Sequence, residues 1–214
     1  MKKSYAVLGM GRFGSSIAVS LSELGADVLA IDSDEELLNR VADKVTCAIS
    51  IDVRNPEALK SAGISNMDAV IISMAEFLES SIMAVMTAKS VGVPLVMAKA
   101  RDELMGEILS KVGADKILYP ERESGINLSK KLMSNDFLEY FDLSDTVALI
   151  EMLPKKEWIG KSLRNLNLRK EYKINVIAIR QKNDVNVVMD PDETLSGDCP
   201  LLVTLKKSDL KKLL

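Results

Sequence analysis

The 214-residue sequence contains no histidine. That removes the usual proton shuttle near neutral pH, every Ser-His-Asp or Cys-His nucleophile, and any zinc site that depends on imidazole. The two cysteines, Cys47 and Cys199, form neither a CxxC pair nor a thiolate cluster and read as reduced, buried fillers. There is no GxxxxGK[ST] loop, so P-loop ATP hydrolysis is not indicated. No apolar run is long enough to span a bilayer, and the basic start at Lys2 and Lys3 reaches glycine too early for a secretory signal, so a cytosolic chain is expected. Neither charge dominates: 28 Lys plus Arg against 31 Asp plus Glu leave a net −3, which offers no broad cationic field to a nucleic-acid backbone. With 11 Gly, 6 Pro and 47% hydrophobic residues the composition is that of a globule, not of a disordered or fibrous chain. The length amounts to roughly 1.4 typical domains, hence one large domain or a standard one with a small appendage.

What is present is a repeated alternation. Residues 5–8 read as an apolar strand, 9–14 as a turn, 15–24 as a helix stopped by Gly25, and 27–31 as the next strand. Further strands are expected at 45–49, 68–73, 94–98 and 116–119, with helices at 35–42, 56–62, 77–91 and 102–111 between them. Asp34 and Asp102 are placed to cap two of those helices. This order predicts an α/β fold: a Rossmann-like, doubly wound parallel sheet. After a helix at 124–133, residues 137–141 gather three of only eight Phe plus Tyr residues and read either as hinge packing or as ordinary core at a domain boundary. The rhythm then changes to strands at 146–153, 175–180, 185–188 and 201–205, a second, small α+β domain. The expected division is residues 1–134 and 135–214.

Gly9-Met10-Gly11-Arg12-Phe13-Gly14 is GxGxxG between a strand and a helix, and Asp32 ends the next strand 18 residues further on. Gly9 permits the tight turn, Gly11 lets phosphate oxygens approach the backbone, and Gly14 lets the helix lie on the sheet with its amides toward an anion. Asp32 can accept hydrogen bonds from ribose hydroxyls and would repel a 2′-phosphate, which disfavours NADP. A dinucleotide and ADP or ATP would use this loop alike. Arg12 either reaches terminal phosphates or is an exposed helix residue. Asp52, just after the third strand, meets the adenine edge or shapes a surface turn. Ser73, which ends the 68–73 strand at the same sheet edge, is counted with the cofactor-binding residues. Lys99 and Glu121 follow the fifth and sixth strands; they form a phosphate-binding cation with an acid for a divalent ion, or a surface salt link, with Glu123 a competing acid.

The opening YAVLGMGRFGSS, the acid in VLAIDSD, Asp52 in ISIDVRNPEALKSAGI, Lys99 in VMAKA and the run VGADKILYPERESG resemble, over the full length, the Trk/Ktr family of regulators of potassium uptake, built from an N-terminal and a small C-terminal RCK domain. The resemblance implies a non-enzymatic regulator forming a homo-oligomer: dimers assembled into a cytosolic octameric ring, peripheral to the inner face of the cell membrane and docked beneath a membrane-embedded potassium-translocating subunit. It implies ATP and ADP as allosteric ligands, with NAD in some relatives. In the Ktr-like branch Arg12 is the glycine-loop arginine, Asp32 the ribose acid, Lys99 the phosphate lysine and Glu121 the phosphate or cation glutamate, with Mg or Ca accompanying ATP. Segments 167–169 and 174–180 resemble those that line a cyclic di-AMP site, suggesting Arg169 for phosphate and Asn175 for polar contact; the alternatives are a solvated helix face and a turn residue.

Two other readings stay open on the residues. A small NAD-dependent oxidoreductase accords with GxGxxG plus Asp32; without histidine a Lys or Tyr would have to act as acid or base, and neither Tyr119 nor Tyr172 lies in a YxxxK arrangement, Tyr119 having Glu123 at that spacing. An NAD(H)-binding redox sensor without a transporter is the third.

Overall fold

Short apolar strands that are buried on both faces pair in parallel only if the chain returns through crossover helices, and the first half of the chain does so throughout. In the computed structural model, which describes residues 2–132, 135–181 and 184–213, six strands form one parallel sheet: β1 Ser4–Leu8, β2 Asp27–Asp32, β3 Cys47–Ser50, β4 Ala69–Ile72, β5 Leu95–Lys99 and β6 Lys116–Leu118. Their spatial order is β3-β2-β1-β4-β5-β6. The helices between them are α1 Arg12–Glu23, α2 Glu35–Asn39, α3 Pro56–Ser61, α4 Leu78–Ser90 and α5 Glu103–Lys111.

Alternation along the strands divides the core in two. Ala6, Leu8, Leu29, Ile31, Val70, Ile72, Val96 and Ala98 pack with Leu59, Ala84, Val85, Ala88, Met105 and Leu109 from α3, α4 and α5. Val7, Val28, Ala30 and Ile71 pack on the other face with Ala18 of α1 and Leu38 of α2. Strand order reverses at β1, which lies between β2 and β4, so the crevice of a doubly wound sheet opens past the carboxyl end of β1.

Local chemistry sets the helix starts. Asp34 accepts from the Glu36 and Leu37 amides, Asn55 from the Ala58 amide ahead of Pro56, and Asp102 from the Met105 amide. The α1 helix differs: its N-cap is Gly11, no side chain caps it, and its first turn carries no acidic residue.

The chain divides into two compact units, residues 1–121 and 122–214. The sequence expectation put the division after residue 134, beyond the helix α6, whose start is Pro120 rather than residue 124. Most of α6 (Pro120–Leu132) falls in the second unit because its last turn is held there: Lys130 pairs with Asp142 and Lys131 with Glu139. The rest of that unit is a five-stranded antiparallel sheet in the order β10-β9-β11-β8-β7. Its strands are β7 Phe137–Asp142, β8 Val147–Met152, β9 Ile174–Gln181, β10 Asp184–Asn186 and β11 Leu201–Lys206, with short helices α7 Leu163–Leu166 and α8 Leu168–Glu171. Its core centres on Trp158, Ile150, Met152, Ile174, Leu201 and Val203.

Of the two readings of residues 137–141, core packing is the one observed: they belong to strand β7, with Phe137 and Tyr140 buried in the second core. One expectation is corrected. Cys47 is not a buried filler: it lies exposed on β3, which is an edge strand and so lacks a neighbour on one side. Cys199 is free and half-buried, and burial pushes its thiol above the ordinary value.

Candidate functional site

The turn between β1 and α1 is shaped by three glycines with different constraints. Gly9 stands at φ +94°, where L side chains are strained. A Cβ on Gly14 would lie 1.9 Å from the Gly9 carbonyl oxygen and 2.5 Å from Ser73 Oγ, so the first turn of α1 rests directly on the loop. Gly11 is the exception: its φ of −63° suits any residue, and a Cβ there would meet nothing within 4 Å. Neither backbone conformation nor packing demands glycine at that position. It leaves a bare approach to the start of a twelve-residue helix whose leading amides carry the positive end of the helix dipole.

The loop is braced from behind. Ser73, just past β4, donates through Oγ to the Gly9 carbonyl at 2.8 Å. The Met10 amide donates to an Asp32 carboxylate oxygen at 2.5 Å, and the Asp34 amide donates to the other at 2.9 Å. Asp32 is thus fixed in orientation at the end of β2 with one lone pair still available on each oxygen. The Met10 side chain is buried in the core, so only its backbone belongs to the loop.

Lys99, ending β5, and Glu121, in the first turn of α6, meet at 2.5 Å. The pair is lopsided: the lysine side chain is 14% exposed and the glutamate 70%. The Lys99 ammonium also lies over the Phe13 ring, 5.5 Å from its centroid, which ties it to the first turn of α1. Lys99, then backbone hydrogen bonding and the charge of Arg12, outweigh partial burial to hold the Glu121 carboxyl below its ordinary value. Arg12, Phe13, Lys99 and Glu121 therefore form one neighbourhood beside the glycine loop. Among the described residues there is no group of three or more Cys, Asp or Glu able to hold a metal ion. A divalent ion at Glu121 would take its other ligands from phosphates and water.

Asp52 is turned to its own chain: its carboxylate accepts from the Arg54 guanidinium at 2.7 Å and from the Arg54 amide at 2.9 Å. Those bonds hold its carboxyl below the ordinary value. It follows β3 at the same sheet edge as Asp32, since Ser50 is the register partner of Asp32.

In the second unit the Arg169 Nε donates to Asn175 Oδ1 at 2.7 Å. Both line a cavity of about 520 Å³ together with Lys173, Thr204, Lys206 and Asp209. The last four are not visible in sequence as site residues, since no motif or spacing marks any of them.

The TrkA-N domain model matches residues 5–120, and the TrkA-C domain model matches residues 147–214. The chain belongs to the TrkA-N/TrkA-C family. Ktr system potassium uptake protein C of Bacillus subtilis is 34% identical over 212 residues, spanning 99% of this chain and 96% of that protein. Ktr system potassium uptake protein A of Vibrio alginolyticus is 32% identical over 202 residues, spanning 94% and 92%. Among solved structures, the GsuK channel bound to NAD shares the fold at a TM-score of 0.67 and 12% identity; all of this chain covers 39% of that one. The TrkA-N domain of the Escherichia coli inner membrane protein ybaL does so at 0.55 and 16%, over 63% of this chain and 98% of that one. As a TrkA-N/TrkA-C protein, the chain stands with potassium-uptake proteins and not with enzymes. No helix among the described residues is long and apolar enough to cross a membrane.

Proposed function

We propose that the protein is a cytoplasmic regulatory subunit of a potassium transporter, gated by ATP and ADP. The observation that carries the nucleotide reading is Gly11, a glycine the fold does not need, at the uncapped start of α1. In this reading the amides of residues 11–14 hold the pyrophosphate, Asp32 the ribose hydroxyls and Asp52 the adenine edge. Arg12 and Lys99 contact the terminal phosphates, and Glu121 shares a Mg or Ca ion with them. NAD(H) is the competing ligand of the same loop. The second unit holds cyclic di-AMP at Arg169 and Asn175, which a shared cavity and a direct hydrogen bond support. The nucleotide part takes residues 1–134 and the regulatory part 135–214. The reading as a transport regulator rests on near-full-length similarity to Ktr system potassium uptake proteins. It carries with it an octameric ring of dimers at the inner face of the membrane, bound to a membrane-embedded translocating subunit.

The test is calorimetric competition among ATP, ADP and NADH, with and without divalent ion. ATP and ADP are expected to bind, and Arg12→Ala to lose more affinity for ATP than for ADP. Tight NADH binding with none by ATP or ADP would overturn the ligand assignment. Equal losses for the two nucleotides would remove Arg12 from the terminal phosphates.

A further inference from the structure

Among the described residues, two that are not glycine adopt positive φ, and both lie within one short stretch of the second unit: Asn167 at 47° and Lys173 at 58°. Asn167 is explained by its chemistry. It joins α7 to α8 at a helix boundary, and asparagine is among the residues that enter the left-handed region most readily. Lys173 has no such excuse. It follows Tyr172, the C-cap of α8, at the position where helices that end in the left-handed region usually carry glycine. The chain must reverse there because Ile174, fully buried, starts β9. A glycine would make the reversal without the Cβ penalty.

The side chain kept at this conformational cost lines the same cavity as Arg169 and Lys206. The lining thus holds three cations and one carboxylate, Asp209. Asp209 is bonded to Lys212 at 2.5 Å, which is the main cause of its lowered carboxyl pKa, and the charges of Lys206 and Lys173 act on it as well. Strained backbone that delivers a charged group into a cavity is characteristic of ligand sites.

We infer that Lys173 is an anion-contacting residue of this cavity, a lysine kept for that purpose at a left-handed position that glycine would fill at lower cost, and that Asp209 is the resting counter-charge which an arriving phosphate must outcompete. The inference rests on the reading of this cavity as a cyclic dinucleotide site and deepens it. It names a second phosphate cation beside Arg169 and an internal competitor that tempers affinity.

Because glycine relieves the strain while removing the cation, Lys173→Gly should move stability and binding in opposite directions. In the full chain it is expected to raise the midpoint of ligand-free thermal unfolding by about 2 °C or more. It is also expected to weaken cyclic di-AMP binding about tenfold or more in calorimetry, with a shallower dependence on salt. Lys173→Ala, which keeps the strain, should lose similar affinity with no gain in midpoint. Asp209→Asn should bind about two- to tenfold more tightly. Unchanged affinity in Lys173→Gly, beside a wild-type chain that binds and an Arg169→Ala variant that does not, overturns the role of Lys173 alone. A Lys173→Gly midpoint that stays or falls overturns the strain argument. Affinity in Asp209→Asn that is unchanged or weaker overturns the counter-charge. No binding of cyclic di-AMP by the wild-type chain overturns the cavity reading itself, and this inference with it.

Discussion

Adding one methyl group at Gly14 and one at Gly11 probes two different demands on the same loop. At Gly14 the Cβ would lie 1.9 Å from the Gly9 carbonyl oxygen, a backbone atom already accepting from Ser73, so α1 must shift off the loop. Gly14→Ala is expected to cost about 1–3 kcal/mol, lowering the thermal midpoint of the chain by several degrees in differential scanning calorimetry. At Gly11 the Cβ meets nothing and φ is ordinary, and because alanine is a poorer N-cap than glycine while costing less backbone entropy, Gly11→Ala should change stability by no more than about 1 kcal/mol. Its Cβ nevertheless stands where phosphate oxygens would approach, and nucleotide affinity should fall about tenfold or more in the same calorimetric titration that the parent passes. A Gly11→Ala chain that binds ADP like the parent would remove the diphosphate from this loop. Residues of this kind are readable from sequence because a fixed spacing after a strand dictates them. Lys173 is not, because its left-handed φ arises from where Ile174 must enter β9, a tertiary demand that leaves no mark on a lysine.

At the scale of elements, β7 shows how a strand escapes a sequence reading. Its buried residues are Phe137 and Tyr140, three apart, because the register with β8 shifts between Phe137 and Glu139. A bulge of this kind replaces alternation by an irregular spacing, and the three aromatics then resemble packing at a hinge. The six parallel strands of the first unit were legible because their apolar runs are short, punctuated by glycine and separated by helical periods. Two other segments of the second unit converge on one β7 residue: Asp142 pairs with Lys130 of α6 at 2.5 Å and with Lys207, just past β11, at 2.8 Å. Lys130 also lies 4.5 Å from the centroid of the Tyr140 ring. The two lysines, Lys130 first, hold the Asp142 carboxyl below its ordinary value. The Asp142 side chain is 40% exposed, so solvent screening limits the gain to about 1 kcal/mol. A depressed carboxyl stabilises the fold above its unfolded pKa, about 3.9, and loses that contribution as pH falls through the lower folded value. Asp142→Asn should therefore lower the thermal midpoint near neutrality by about 2–4 °C, and the gap should close as pH drops below about 4. A gap independent of pH would mean that Asp142 acts through shape rather than charge.

For the whole molecule, the question is whether one nucleotide phosphate can switch an assembly. A ligand shifts a two-state equilibrium only by its differential affinity, and moving it from 1:99 to 99:1 requires about 10⁴-fold. If, in the proposed site, one charged hydrogen bond from Arg12 or Lys99 to the extra phosphate forms in only one arrangement, ATP favours that arrangement over the other by about 10- to 100-fold per site, a preference ADP lacks. A single copy therefore falls short by about two to three orders of magnitude. Two to four copies whose geometries change together multiply that ratio to 10⁴ or beyond, which is what the proposed ring of identical subunits would supply to an otherwise modest site. The expected outcome is that small-angle scattering of the assembled protein differs between saturating ATP and saturating ADP. As ATP replaces ADP, the change should be steeper than a one-site curve, with a Hill coefficient above 1. In Arg12→Ala the per-site ratio shrinks, so the scattering difference should narrow even at concentrations that saturate both nucleotides. Superposable wild-type curves under ATP and ADP would mean that the two ligands bind both arrangements equally, and nucleotide exchange would then have no means of reaching a membrane partner.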